Sequence, residues 1–89
     1  MTQKKINDKR RQDPQRLGEK LKMIRLHHSL SQSQMILVIN PQETGYNRAR
    51  ISQYEKGKRM PSLIETLNYA KFARVHVEVL IDDDLELVL

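Results

Sequence analysis

The chain has no cysteine and no tryptophan, only three glycines and three prolines, and four aromatic residues in 89. Without cysteine there is neither a disulfide nor a thiolate metal site to supplement a small core. So few glycines and prolines leave too few turns for an all-β fold. No apolar run approaches the length of a membrane span. The first twelve residues, MTQKKINDKRRQ, are charged, with no apolar stretch behind them, so they do not read as a secretory signal. The expectation is one small, membrane-free domain in a reducing, cytoplasmic setting, its core made only of packed apolar side chains.

Catalytic equipment is thin. His27, His28 and His76 are the only histidines. His27 and His28 are neighbours on a predicted helix and point about 100° apart, so they cannot share a metal by themselves. Residues 82–84 are three aspartates without the spaced oxygens and turn glycine of a calcium loop. No phosphate loop, GxSxG turn or HExxH is present. Neither an enzyme, nor a cofactor, nor a metal site is expected.

Positive charge is abundant, and it is unevenly placed. Residues 1–60 hold 14 Lys and Arg against 5 Asp and Glu, whereas residues 61–89 hold 2 against 6. A basic front and an acidic back point to a face that meets a polyanion.

The pattern along the chain is helical. Residues 1–12 have no apolar periodicity and read as a flexible basic arm. Asp13-Pro14 reads as the N-cap and first position of a helix. Leu17, Leu21 and Ile24 form its apolar stripe, with Arg16, Lys20, Lys22 and Arg25 off it. Ser31 and Gln34 make a capping box, flanked by Leu30 and Met35 as staple. That box assigns the apolar run Met35, Ile36, Leu37, Val38 and Ile39 to a helix, although the run alone also fits a buried strand. Asn40-Pro41 either ends this helix, with Asn40 left-handed, or opens a new turn. Gly45 breaks the chain again.

Asn47 can cap a short helix, with Tyr46 stapled to Ile51. Ile51 and Tyr54 point to the core, while Arg48, Ala49, Ser52 and Gln53 share the opposite face. Gly57 stops this helix ahead of a basic loop. Ser62 and Glu65 make another capping box, and Leu63, Thr66, Leu67, Ala70 and Ala73 read as the next core stripe. A final short helix lies around residues 77–81. The tail, residues 83–89, is acidic and then alternates like a strand.

The chain resembles the lambda Cro/repressor-like helix-turn-helix family, also called the xenobiotic-response-element type. The residues that carry the likeness are Leu17-Gly18, Leu21, Arg25, Leu30-Ser31-Gln32, Gly45, Ile51-Ser52, Tyr54-Glu55, Gly57, Pro61-Ser62-Leu63 and Ala70. They span residues 15–81. The resemblance implies an all-α, compact five-helix bundle over residues 13–82, with residues 32–39 as positioning helix and 48–56 as recognition helix. It also implies a sequence-specific regulator of transcription that binds double-stranded DNA as a homodimer on a palindromic operator.

On this reading Arg48, Ala49, Ser52 and Gln53 face bases, while Gln32, Arg50, Lys56, Lys58 and Arg59 meet the backbone. The side-chain chemistry agrees. Arg matches the two acceptors of guanine, Gln the acceptor–donor pair of adenine, and Ala a thymine methyl. Glu55 reads as structural, with Arg25 as a candidate partner.

The chain departs from the family pattern at three places. Asn40, Pro41, Gln42, Glu43 and Thr44 stand as an insertion in a normally tight turn, Ile36 occupies a usually small position, and Arg74 stands where glycine is common. The alternatives are an antitoxin that binds both DNA and a toxin, or a protein-interaction module that kept the fold. Either would use residues 35–39 or the tail at residues 85–89 as its partner surface.

Overall fold

The structure, a computed structural model, describes residues 13–42 and 48–89. The expected arm, the Tyr46–Asn47 cap, the break at Gly45 and the Glu43–Thr44 part of the insertion lie outside these residues. The described chain is a compact all-helical globule with no strand. Its helices are α1 (Leu17–His27), α2 (Gln32–Ile39), α3 (Arg48–Glu55), α4 (Leu63–Ala73) and α5 (Val77–Ile81). No described helix is long and apolar enough to cross a membrane.

α1 begins later than its sequence suggests. Its N-cap is Arg16, which offers no side-chain cap. The cap comes instead from the other end of the chain. Asp83 accepts hydrogen bonds from the backbone N–H of Gln15 at 2.9 Å and of Arg16 at 3.0 Å. A carboxylate at the positive end of a helix satisfies N–H groups that have no partner within the helix. Those two N–H donors hold the Asp83 carboxyl below its ordinary pKa. Asp13, the expected cap, is left with its carbonyl accepting from the Gln15 side chain at 2.9 Å.

Lys20 also departs from expectation. It is 1% exposed, on the buried side of α1. Its Nζ donates to the carbonyl oxygens of Val79, Asp82 and Leu85 at 2.7, 3.0 and 2.8 Å. These acceptors include carbonyls at the C-terminal end of α5, where a cation is favoured. The aliphatic stem fills core space while the ammonium meets three acceptors, which offsets the cost of burying it.

The acidic tail is therefore part of the fold rather than a strand or a free end. Arg16 binds Glu86 through two hydrogen bonds at 3.0 and 2.8 Å, and the carbonyl of Asp83 at 2.9 Å. Leu87 is buried in the core cluster.

α2 starts as its capping box predicts, with Ser31 accepting from the Gln34 N–H and Gln34 accepting from the Ser31 N–H. Its end differs. Asn40 has φ −145°, not a left-handed conformation. The Ile39 carbonyl is taken by the side chain of Asn68 from α4 at 2.8 Å. Within the expected partner surface at residues 35–39, Met35, Ile36 and Ile39 are buried and Val38 packs against the core. Only Leu37 is outward.

The Ser62–Glu65 capping box opens α4 as predicted. The core face of α4, however, is turned from the predicted stripe. Thr66 and Ala70 are buried as expected, but Glu65 and Tyr69 join them, while Leu63 and Leu67 are exposed. Tyr69 fills the core with a large ring, and Glu65 is drawn inward by polar partners on α2 and α3.

Candidate nucleic-acid interface

α3 is anchored from within. Ile51 and Tyr54 are buried, one turn apart on the inner face, and they seat the helix against α1 and α2. Gly18 of α1 allows the backbones to meet. A Cβ there would lie 2.6 Å from the Glu55 carbonyl oxygen and 2.7 Å from that of Tyr54. Both distances are forbidden to a real side chain, so only glycine lets α1 and the last turn of α3 approach this closely.

Two polar clusters fix the helix further. Glu55 is bound by Arg25 through a two-pronged pair, Nε to Oε2 at 2.6 Å and Nη2 to Oε1 at 3.0 Å. The Arg25 and Glu55 side chains are 11% and 4% exposed, so the pair is shielded from solvent, and its geometry is of the strong bidentate kind. Arg25 also donates to the Leu30 carbonyl at 3.0 Å, and Gln32 donates to Glu55 at 3.3 Å. One carboxylate thus joins α1, the start of α2 and the end of α3. The expected partnership of Arg25 with Glu55 is present, and Gln32 braces α3.

Glu65 is the second hub. It accepts from the Tyr54 hydroxyl at 2.6 Å, the Ser62 N–H at 3.1 Å, and Asn40 and Arg50 at 3.3 Å each. Burial opposes ionisation of Glu65, but these donors outweigh it and hold the carboxyl below its ordinary value. Burial, followed by the bond to Glu65, pushes the Tyr54 hydroxyl up. Nothing in the sequence beyond the capping box pointed to Glu65 as a hub. Its other partners lie far from it in the chain.

The outer face of α3 is what these anchors present. Arg48, Ala49 and Gln53 are exposed and Ser52 is half-buried. All four lie on the side expected from the helical spacing. Arg50 is different. It is half-buried and ion-paired with Glu65 at 3.3 Å, so its guanidinium is committed to the α3–α4 junction rather than offered outward.

The helix ends in a hydrogen-bonded left-handed turn. Gly57 has φ +73°. Its N–H donates to the Tyr54 carbonyl at 3.2 Å and the Lys58 N–H to the Gln53 carbonyl at 2.9 Å. This is the Schellman closure. It delivers Lys56, Lys58 and Arg59 as an exposed group directly behind the last turn. Among the described residues there is no group of three or more His, Asp or Glu able to hold a metal ion.

Comparison with protein-family models, curated proteins and solved structures found no match to this chain.

Proposed function

We propose that the protein is a sequence-specific DNA-binding regulator of transcription. On this reading α3 enters the major groove. Arg48, Ala49, Ser52 and Gln53 read base edges, and Lys56, Lys58 and Arg59 bind phosphates. Gln32 sits at the start of α2, where binding a phosphate and its bond to Glu55 are compatible. Arg50, paired with Glu65, holds α3 to α4.

One observation carries the reading. A short helix with an uncommitted polar face is locked on its inner face by Ile51, Tyr54 and the Glu55 and Glu65 clusters, and a basic loop is exposed immediately behind it. A rigid helix with hydrogen-bonding groups outward and cations at its exit suits a groove flanked by phosphates. The resemblance to the lambda Cro/repressor-like family points the same way. A homodimer on a palindromic operator would set two such helices about 34 Å apart.

Salt dependence tests the class of interaction. The logarithm of DNA affinity should fall linearly with the logarithm of salt concentration. Lys58→Ala/Arg59→Ala should make that slope shallower by about two, one for each phosphate that is no longer neutralised. A salt-independent affinity would contradict a phosphate-tracking interface.

A further inference from the structure

The sequence pattern assigns Leu63 and Leu67 to the core, yet both lie on the outside of α4. Leu63 is 88% and the adjacent Ile64 65% exposed, and Leu67 follows one turn later. Spacings of three and four place Lys71 and Arg74 on the same outward strip, and both are exposed. The strip is thus aliphatic over its first turns and cationic at its end. Glu65 is the only acid in α4, and it is turned inward to Tyr54 and Arg50. α2, packed beside α4, contains no charged residue. A groove whose lining includes Ile39, Pro41, Ile64, Asn68 and the inward-turned Glu65 runs between the two helices.

Leu63 and Ile64 do little for the fold, because Thr66, Tyr69 and Ala70 close the core beneath them. Adjacent exposed aliphatic residues of this kind mark interaction surfaces. We propose that the outward strip of α4 docks an acidic amphipathic helix of another protein. Aliphatic side chains of that helix cover Leu63, Ile64 and Leu67, and its carboxylates pair with Lys71 and Arg74.

Charge selects this occupant. A strip with two cations and no carboxylate attracts an acidic segment and repels a basic one. A lipid surface fits less well, because three aliphatic side chains offer it little apolar area to bury. The docking strip is separate from the outward face of α3, so it does not depend on the DNA reading.

The test uses the isotope-labelled full chain and a synthetic helical peptide of about 15 residues with leucines at helical spacing and glutamates elsewhere. The peptide should shift the amide signals of residues 63–74. Leu63→Ser/Ile64→Ser changes only exposed positions and keeps the helical spectrum. It should weaken binding about tenfold or more, as should replacing every peptide glutamate by lysine. Equal binding of the lysine peptide, shifts confined to other residues, or no shifts overturns the proposal. So does self-association of the protein alone that the double substitution abolishes, which would make a second copy the occupant. Shifts with phosphatidylserine vesicles but not with the peptide overturn it in favour of a membrane surface.

Discussion

Three helices end in the same pair of backbone hydrogen bonds, and only one has glycine at the turn. After α3 the left-handed residue is Gly57; after α1 and α4 it is Ser29, with φ 57°, and Arg74, with φ 61°. The closing bonds are Leu30 N–H to the Arg25 carbonyl at 3.1 Å and Val75 N–H to the Ala70 carbonyl at 3.0 Å. A residue with a Cβ strains in this conformation, and glycine does not. Arg74→Gly should therefore raise stability by about 1 kcal/mol, seen as a higher urea midpoint with unchanged slope. An unchanged or lower midpoint would show that the side chain offsets the strain. Tyr69 offers a second single-residue test. Its ring is fully buried, and its hydroxyl finds no hydrogen-bond partner among the described residues. Burial pushes its pKa up. Tyr69→Phe removes an unsatisfied polar group without a cavity, so stability should hold or rise by about 1 kcal/mol. A marked loss in thermal denaturation would mean that the hydroxyl is satisfied in solution.

At the scale of elements, local signals in the sequence placed the helices and long-range polar interactions set how they meet. The two Ser-x-x-Gln/Glu boxes fixed the starts of α2 and α4, because capping is completed within four residues. Local pattern puts the start of α1 too early, because its cap, Asp83, lies at the other end of the chain. Aliphatic spacing alone turns the face of α4 toward Leu63 and Leu67, which are exposed. The core instead takes Tyr69 and the carboxylate of Glu65, which Tyr54, Asn40 and Arg50 recruit from other helices. Periodicity places Lys20 off the buried stripe for the same reason: its three carbonyl partners are invisible to local pattern. The outward residues of α3 were legible, because a spacing of three between Ile51 and Tyr54 fixes the opposite face.

Glu65 also gives this packing a pH dependence. Its carboxyl is held below the ordinary glutamate value of 4.5. Stability from a depressed carboxyl is fully present above the unfolded pKa and is lost as pH falls through the lower folded value. Asp83 and Glu86 are shifted in the same direction, by the Gln15 and Arg16 N–H groups and by the Arg16 guanidinium respectively. Thermal stability should thus be flat near neutrality and fall below about pH 4.5. Glu65→Gln preserves a capping-box residue but loses the charge-assisted bonds. It should cost about 2 kcal/mol at pH 7 and make the acid-side fall shallower. An acid limb identical to that of the unsubstituted protein would show that Glu65 does not set it.

For the whole molecule, polarity and charge are sorted by face. The outer side of α3 and its exit loop carry Arg48, Gln53, Lys56, Lys58 and Arg59, while carboxylates 83 and 86 are spent on the start of α1. Part of the acidic back seen in the sequence thus works as an internal clamp, while Arg48, Lys56, Lys58 and Arg59 remain outward. That division supports a nucleic-acid partner on the α3 side and leaves the α4 strip for a different one.

The most direct measurement is selection of bound fragments from random duplex DNA, followed by sequencing, with Arg48→Ala/Gln53→Ala alongside. Both side chains are exposed and outside the core, so the double variant should keep its fold. The unsubstituted protein should enrich one sequence with two-fold symmetry. The double variant, equally helical, should lose that enrichment while retaining salt-sensitive binding. Enrichment of the same sequence by both proteins, or of none by either, would contradict the claim that α3 reads DNA.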